Sequence, residues 1–164
     1  MIRILRAATA AVIVALIAAC GTARTTVNEP VKQKYTAATA TLEELPATIT
    51  VPDEVRTTLR QQLEKALFDA KTTGLKPGSD LKVQYRFVQF NAGNQFARWF
   101  WGGIGNAGEA SMQIEAIYVD AKGQAVTRTQ HEGRIGSGFF GGSVGDASDR
   151  MAEEVANFVK ANFR

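Results

Sequence analysis

Cys20 carries the one thiol of this chain and His131 the one imidazole. A thiol is a nucleophile that can take an acyl or alkyl group, and an imidazole exchanges protons near neutral pH. Neither is embedded in a motif that supplies a partner, so no Ser-His-Asp or Cys-His arrangement can be assembled, and Ser137 and Ser143 read as ordinary loop serines. His131 falls in a predicted strand, where a lone histidine is structural or exposed. Asp146, Asp149 and Glu153 share a face of a predicted helix and could bind a cation; the competing reading is that they complement the positive helix end. Metal-ligand spacing is absent. Gly103, Gly105 and Gly108, and again Gly136, Gly138 and Gly141, spell G-x-G-x-x-G. The first set precedes a predicted strand, the wrong context for a dinucleotide site. The second follows a strand and precedes a helix, but the chain ends before a βαβ unit could close, and no Gly-Lys-Ser/Thr phosphate loop is present. Chemistry therefore narrows to the Cys20 thiol and to two segments rich in glycine and aromatic residues.

Residues 1–6 hold Arg3 and Arg6 and no acid, and residues 7–19 are Ala, Val, Ile and Leu with one Thr. A basic start followed by a short apolar run is the pattern of a signal peptide. A spanning helix needs about 20 apolar residues, so this run is too short to remain as one. Ile17-Ala18-Ala19-Cys20 resembles a bacterial lipobox. That resemblance implies cleavage before Cys20 and acylation of its thiol and new amino group with palmitate-type chains. Two or more chains give stable anchoring where one is marginal. Gly21 stands where an Asp marks inner-membrane retention, which points to the outer membrane, facing the periplasm.

The whole chain has a formal net charge of +3. Without residues 1–19 it holds 17 basic and 16 acidic side chains, near +1. There is no basic stripe, so the electrostatic footprint of a nucleic-acid binder is missing. The 145 residues from Cys20 onward suit one domain with a real core. With Cys20 consumed by lipid, that core must hold without a disulfide.

Residues 20–34, rich in Thr, Ala, Gln and Asn, read as a lipidated tether spanning roughly 20 Å, the open alternative being that part of it packs on the domain, and residues 35–164 as a single α+β periplasmic domain. Residues 35–42 form a β-tolerant stretch that reads as a strand, and 48–51 a short extended piece. Over 52–73, Val55, Leu59, Leu63, Leu67 and Ala70 recur at helical spacing, with Pro52 at the first helical position and Gly74 as the stop. Residues 81–87 alternate as a half-buried strand, with a phase slip at 88–90 that signals either a bulge or the strand's end. Residues 111–119 and 124–135 form an antiparallel hairpin across Asp120-Ala-Lys-Gly123. The last helix covers 147–162, with Ser143, Asp146 or Ser148 as candidate caps.

The glycine and aromatic segments contain Arg98, Trp99, Phe100 and Trp101 in one and Phe139 and Phe140 in the other. An antiparallel hairpin brings their ends together, so they should be neighbours. Two readings stay open: the aromatics fold onto the domain's own core, or they form an exposed patch for a partner or a membrane surface. The runs Phe90-Asn-Ala-Gly-Asn-Gln-Phe-Ala-Arg-Trp, Gly103-Ile-Gly-Asn-Ala-Gly-Glu-Ala-Ser and Val119-Asp-Ala-Lys-Gly resemble the bacterial lipoprotein family grouped as domain of unknown function 4410. The resemblance covers roughly residues 51–164. It implies architecture and location, and brings no activity.

The expectation is an α+β fold: one small sheet of three to four strands with two amphipathic helices on one face. If 35–42 or 48–51 precedes the first helix as a strand, that unit is a right-handed crossover. The expected role is a membrane-anchored, non-enzymatic accessory or binding component of the cell envelope, with no cofactor beyond the lipid on Cys20. Arg98, Trp99, Trp101, Phe139 and Phe140 are the candidate contacts for an envelope partner or for self-association. The alternatives are a small-ligand or glycan module that uses the glycine loops as a cradle and, after it, an enzyme.

Overall fold

Leu81, Val83, Tyr85 and Phe87 point one way and Lys82, Gln84 and Arg86 the other, and this alternation sets the two faces of the sheet. The computed structural model describes residues 23–31, 35–91, 110–135 and 144–164. In chain order the elements are β1 (Ala23–Glu29), β2 (Thr39–Glu44), α1 (Asp53–Phe68), β3 (Lys76–Pro77), β4 (Leu81–Asn91), β5 (Ala110–Asp120), β6 (Ala125–Ile135) and α2 (Val144–Phe163). The strands form one mixed sheet in the order β1-β6-β5-β4-β2-β3. β1, β6, β5 and β4 are antiparallel neighbours, whereas β2 runs parallel to both β4 and β3. β2, α1 and β4 therefore form a parallel β-α-β unit attached to an antiparallel meander.

Both helices lie on one face. α1 buries Val55, Leu59, Leu63 and Leu67, and α2 buries Ala147, Met151, Val155, Val159 and Phe163. They meet Leu42, Val83, Tyr85, Phe87, Met112, Ile114, Ala116 and Tyr118 from the sheet in one continuous core. At its far end Tyr118 stacks on Phe163 with centroids 5.5 Å apart, and the Ala37 amide donates to the Phe163 carbonyl at 2.9 Å. At the other end Gly133 lets α2 lie close on β6. A Cβ there would stand 3.1 Å from Met151 Cε and 3.2 Å from the Ala147 carbonyl oxygen.

The hairpin turn forms as its sequence predicts. The Asp120 carboxylate accepts from the Lys122 and Gln124 amides, both at 2.9 Å, and Gly123 takes φ +81°. Of the two readings of the phase slip at 88–90, β4 shows the bulge: its register shifts between Phe87 and Gln89 and pairing continues to Asn91.

Several expectations need correction. The sheet has six strands among the described residues, not three to four. Residues 23–29, read within the tether, are the edge strand β1, paired along β6. Its sequence is polar because an edge strand over a polar part of the core shows no apolar alternation. The strand expected at 35–42 starts at Thr39, and 48–51 forms none. α1 ends at Phe68, short of 73, because the Thr73 hydroxyl donates to the Leu67 carbonyl and closes the end; Ala70 is exposed beyond it. Pro52 is the cap residue and not the first helical one. Asp146 and Ser148 lie inside α2 and do not cap it, and Ser148 is fully buried.

Candidate functional site

Every residue expected to carry contact or anchoring lies outside the described residues: Cys20, Arg98, Trp99, Trp101, Phe139 and Phe140. Their flanks are described, and these converge. β4 ends and β5 begins at one end of the sheet, where Asn91 faces Ser111 and Ala110 faces Ile135. β1 enters at the same end, with Ala23 opposite Gly133 and Gly133 opposite Met112. The described residues that flank 92–109 and 136–143 thus meet at the end of the sheet where β1 starts; the two segments themselves lie outside the described residues.

Just inside that end, four elements bring five polar side chains together. His131 on β6 is buried and lies opposite Thr25 on β1 and Ile114 on β5. The Thr25 hydroxyl donates to Glu154 of α2 at 2.8 Å, so its lone pairs face His131 Nδ1, 3.0 Å away. That makes Nδ1 the protonated nitrogen and leaves Nε2 as an acceptor. The Thr129 hydroxyl sits 2.7 Å from Nε2, and Tyr118 Oη lies 3.3 Å from Thr129 Oγ1 and 3.4 Å from Nε2. Burial pushes the imidazole down to about 4 and holds the Tyr118 phenol well above its ordinary range. His131 is therefore neutral at pH 7.

This arrangement is a latch. His131 has no exposed surface and cannot reach a substrate proton, whereas each of its partners ties one element to another. Thr25 in particular fastens β1 to β6 and to α2. The reading of His131 as a structural histidine agrees with this geometry. Its partners escaped sequence reasoning because Thr25 lies 106 residues away and reaches Glu154 across 129. One local signal was present: Thr127, Thr129 and His131 alternate on β6 at the positions where β5 places Tyr118, Ala116 and Ile114.

The opposite face of the sheet carries a ladder of ion pairs. Arg86 Nε donates to Glu115 at 2.7 Å, Arg128 lies 3.7 Å from Glu115 and 3.6 Å from Glu29, and Arg134 Nε donates to Glu132 at 2.6 Å. These are partly or wholly solvated pairs on a wet face and are worth little individually. Asp149, one of the three acids considered for a cation, faces Lys65 at 3.8 Å. Among the described residues no group of three or more His, Cys, Asp or Glu could hold a metal ion, and no helix is long and apolar enough to cross a membrane.

No curated protein matches the chain. Its fold is similar to that of solved structures of the PelC dodecamer from Paraburkholderia phytofirmans. One, a leucine-to-methionine variant, is 13% identical, with a TM-score of 0.47, over 88% of this chain and 98% of the other. A second is 14% identical, with a TM-score of 0.46, over 88% and 99%. The family model of a domain of unknown function, DUF4410, matches residues 22–161, from the first residues of β1 to the last turn of α2. The chain belongs to the DUF4410 family.

Proposed function

We propose that this chain is a lipid-anchored periplasmic lipoprotein and a non-enzymatic accessory or binding component of the envelope, held at the outer membrane. The observation that carries the reading is the coincidence at Cys20: two arginines, a thirteen-residue run that is apolar but for one Thr and ends in Ala18-Ala19, and then the chain's one cysteine. Covalent lipid on Cys20 is the anchor. Contact with an envelope partner, or with a second copy of the chain, falls to Arg98, Trp99, Trp101, Phe139 and Phe140. The described residues that flank their segments meet at the end of the sheet where β1 begins. Aromatic and Arg side chains dominate binding energy where they are desolvated at a contact.

The test is in-cell photo-crosslinking with a probe at Trp99, Trp101 or Phe139, in the lipidated protein and in a Cys20→Ala control lacking residues 1–19. A discrete adduct from the lipidated form alone is expected, and its mass separates self-association from another protein. Absence of any adduct at all three positions would place these aromatics in the domain's own core and remove the contact.

A further inference from the structure

We infer that the domain has no tether: a lipid on Cys20 pins one end of the sheet against the bilayer, and the hairpin turn at Asp120–Gly123 faces away from it. The inference rests on the reading of Cys20 as lipidated and adds to it which surface meets the membrane. Only Gly21 and Thr22 separate Cys20 from Ala23, the first residue of β1. A fully extended chain spans at most about 3.6 Å per residue, so Ala23 lies within roughly 11 Å of the acylated residue. Ala23 is not free to wander. It pairs with Gly133, and Thr25, two residues on, is held by His131 and Glu154.

The row Ala23, Gly133, Met112 and Phe90 crosses four strands, so anchoring one member brings the whole end of the sheet to the interface. Arg24 and Arg134 are exposed in or beside this row, Arg134 paired with Glu132, and present guanidinium groups to phosphate headgroups. The other pose would lay the β1 edge along the bilayer. It would press Glu29, whose side chain is 61% exposed, onto that surface. At about 3.3 Å per residue, the eleven residues of β6 put Lys122 and Gly123 roughly 35 Å from the anchored end. That distance is several Debye lengths at physiological ionic strength.

The experiment uses the full lipidated protein in vesicles that contain a headgroup-nitroxide lipid. Because lipid occupies the native thiol, Gln89→Cys and Lys122→Cys each offer one site for a fluorophore. Both positions are exposed, Gln89 near the anchored end and Lys122 at the turn. Quenching several-fold stronger at 89 than at 122 is expected. A flexible insertion of about twelve residues between Gly21 and Thr22, enough for a span of roughly 20 Å, should abolish the contrast. Equal quenching at both positions in the parent, on protein that floats with vesicles and carries the lipid mass, overturns this inference and leaves the anchor standing. Protein that neither floats nor carries lipid overturns both.

Discussion

Lowering the pH from 7 to 5 should weaken the fold through His131. Burial holds the folded imidazole at about 4, against an ordinary value of 6.5. Between those values the unfolded chain binds a proton that the folded chain refuses. Stability is therefore complete above the unfolded value and is lost as pH falls toward the folded one. The full difference is about 3 kcal/mol, of which about 2 kcal/mol disappears between pH 7 and pH 5. The groups facing the ring do not reverse the sign. Tyr118 stays neutral throughout, and Glu154 is reached only through the Thr25 hydroxyl. Asp80 is held below the usual carboxylate range by hydrogen bonds from Thr39 and from the Ala38 and Thr39 amides, and Glu43 by the Gln84 amide and Lys82. Both therefore titrate at lower pH. The assay is urea unfolding of the Cys20→Ala protein lacking residues 1–19, at both pH values, beside the same protein carrying His131→Gln. With an ordinary denaturant slope, the parent midpoint should fall by about 1 M urea. The His131→Gln protein should be weaker at pH 7 but lose markedly less on acidification. Parallel losses in the two proteins would refute the argument, because the pH dependence would then arise elsewhere.

Three further outcomes follow from single contacts. Thr25→Val leaves His131 Nδ1–H and Glu154 without their shared partner. It should cost about 1–3 kcal/mol, with hydrogen exchange showing β1 amides opening ahead of β5 and β6. Gly133→Ala drives a methyl against Met151 Cε and the Ala147 carbonyl and should cost about 1–3 kcal/mol in urea unfolding. Met151→Ala in the same chain should recover only part of that loss, because the Ala147 carbonyl cannot move aside. Gly123→Ala meets nothing within 4 Å yet sits at φ +81°, so a loss of about 1 kcal/mol should come from the backbone alone and leave the rest of the hairpin unchanged by NMR.

The parts of the fold that were legible in the sequence are those where one residue type carries one constraint. Val55, Leu59, Leu63 and Leu67 must face a core at helical spacing, and Asp120 and Gly123 define a turn wherever they occur in this order. The slip after Phe87 was visible because alternation has a strict period of two. β1 was hidden for a physical reason. It covers the polar corner of the core, where Thr25 meets His131, so its inward positions are Ala23, Thr25 and a half-exposed Val27 and show no run of large buried apolar side chains. β3 has two residues, fewer than any periodicity can report. The polar latch was hidden because its members come from β1, β5, β6 and α2, and no local spacing links them. The proposal about location rests on Cys20, which was legible from its place after a basic start and an apolar run. What the fold adds is that β1 begins three residues after Cys20, so most of the stretch read as a flexible tether is a paired edge strand.

The most direct test of the anchored account is the intact mass of the protein isolated from membranes. The account predicts a chain that begins at Cys20, heavier than residues 20–164 by a diacylglyceryl group and an N-acyl chain, with Cys20→Ala leaving an unmodified chain. A membrane-isolated protein that retains residues before Cys20, or that carries a free Cys20 thiol, would contradict it.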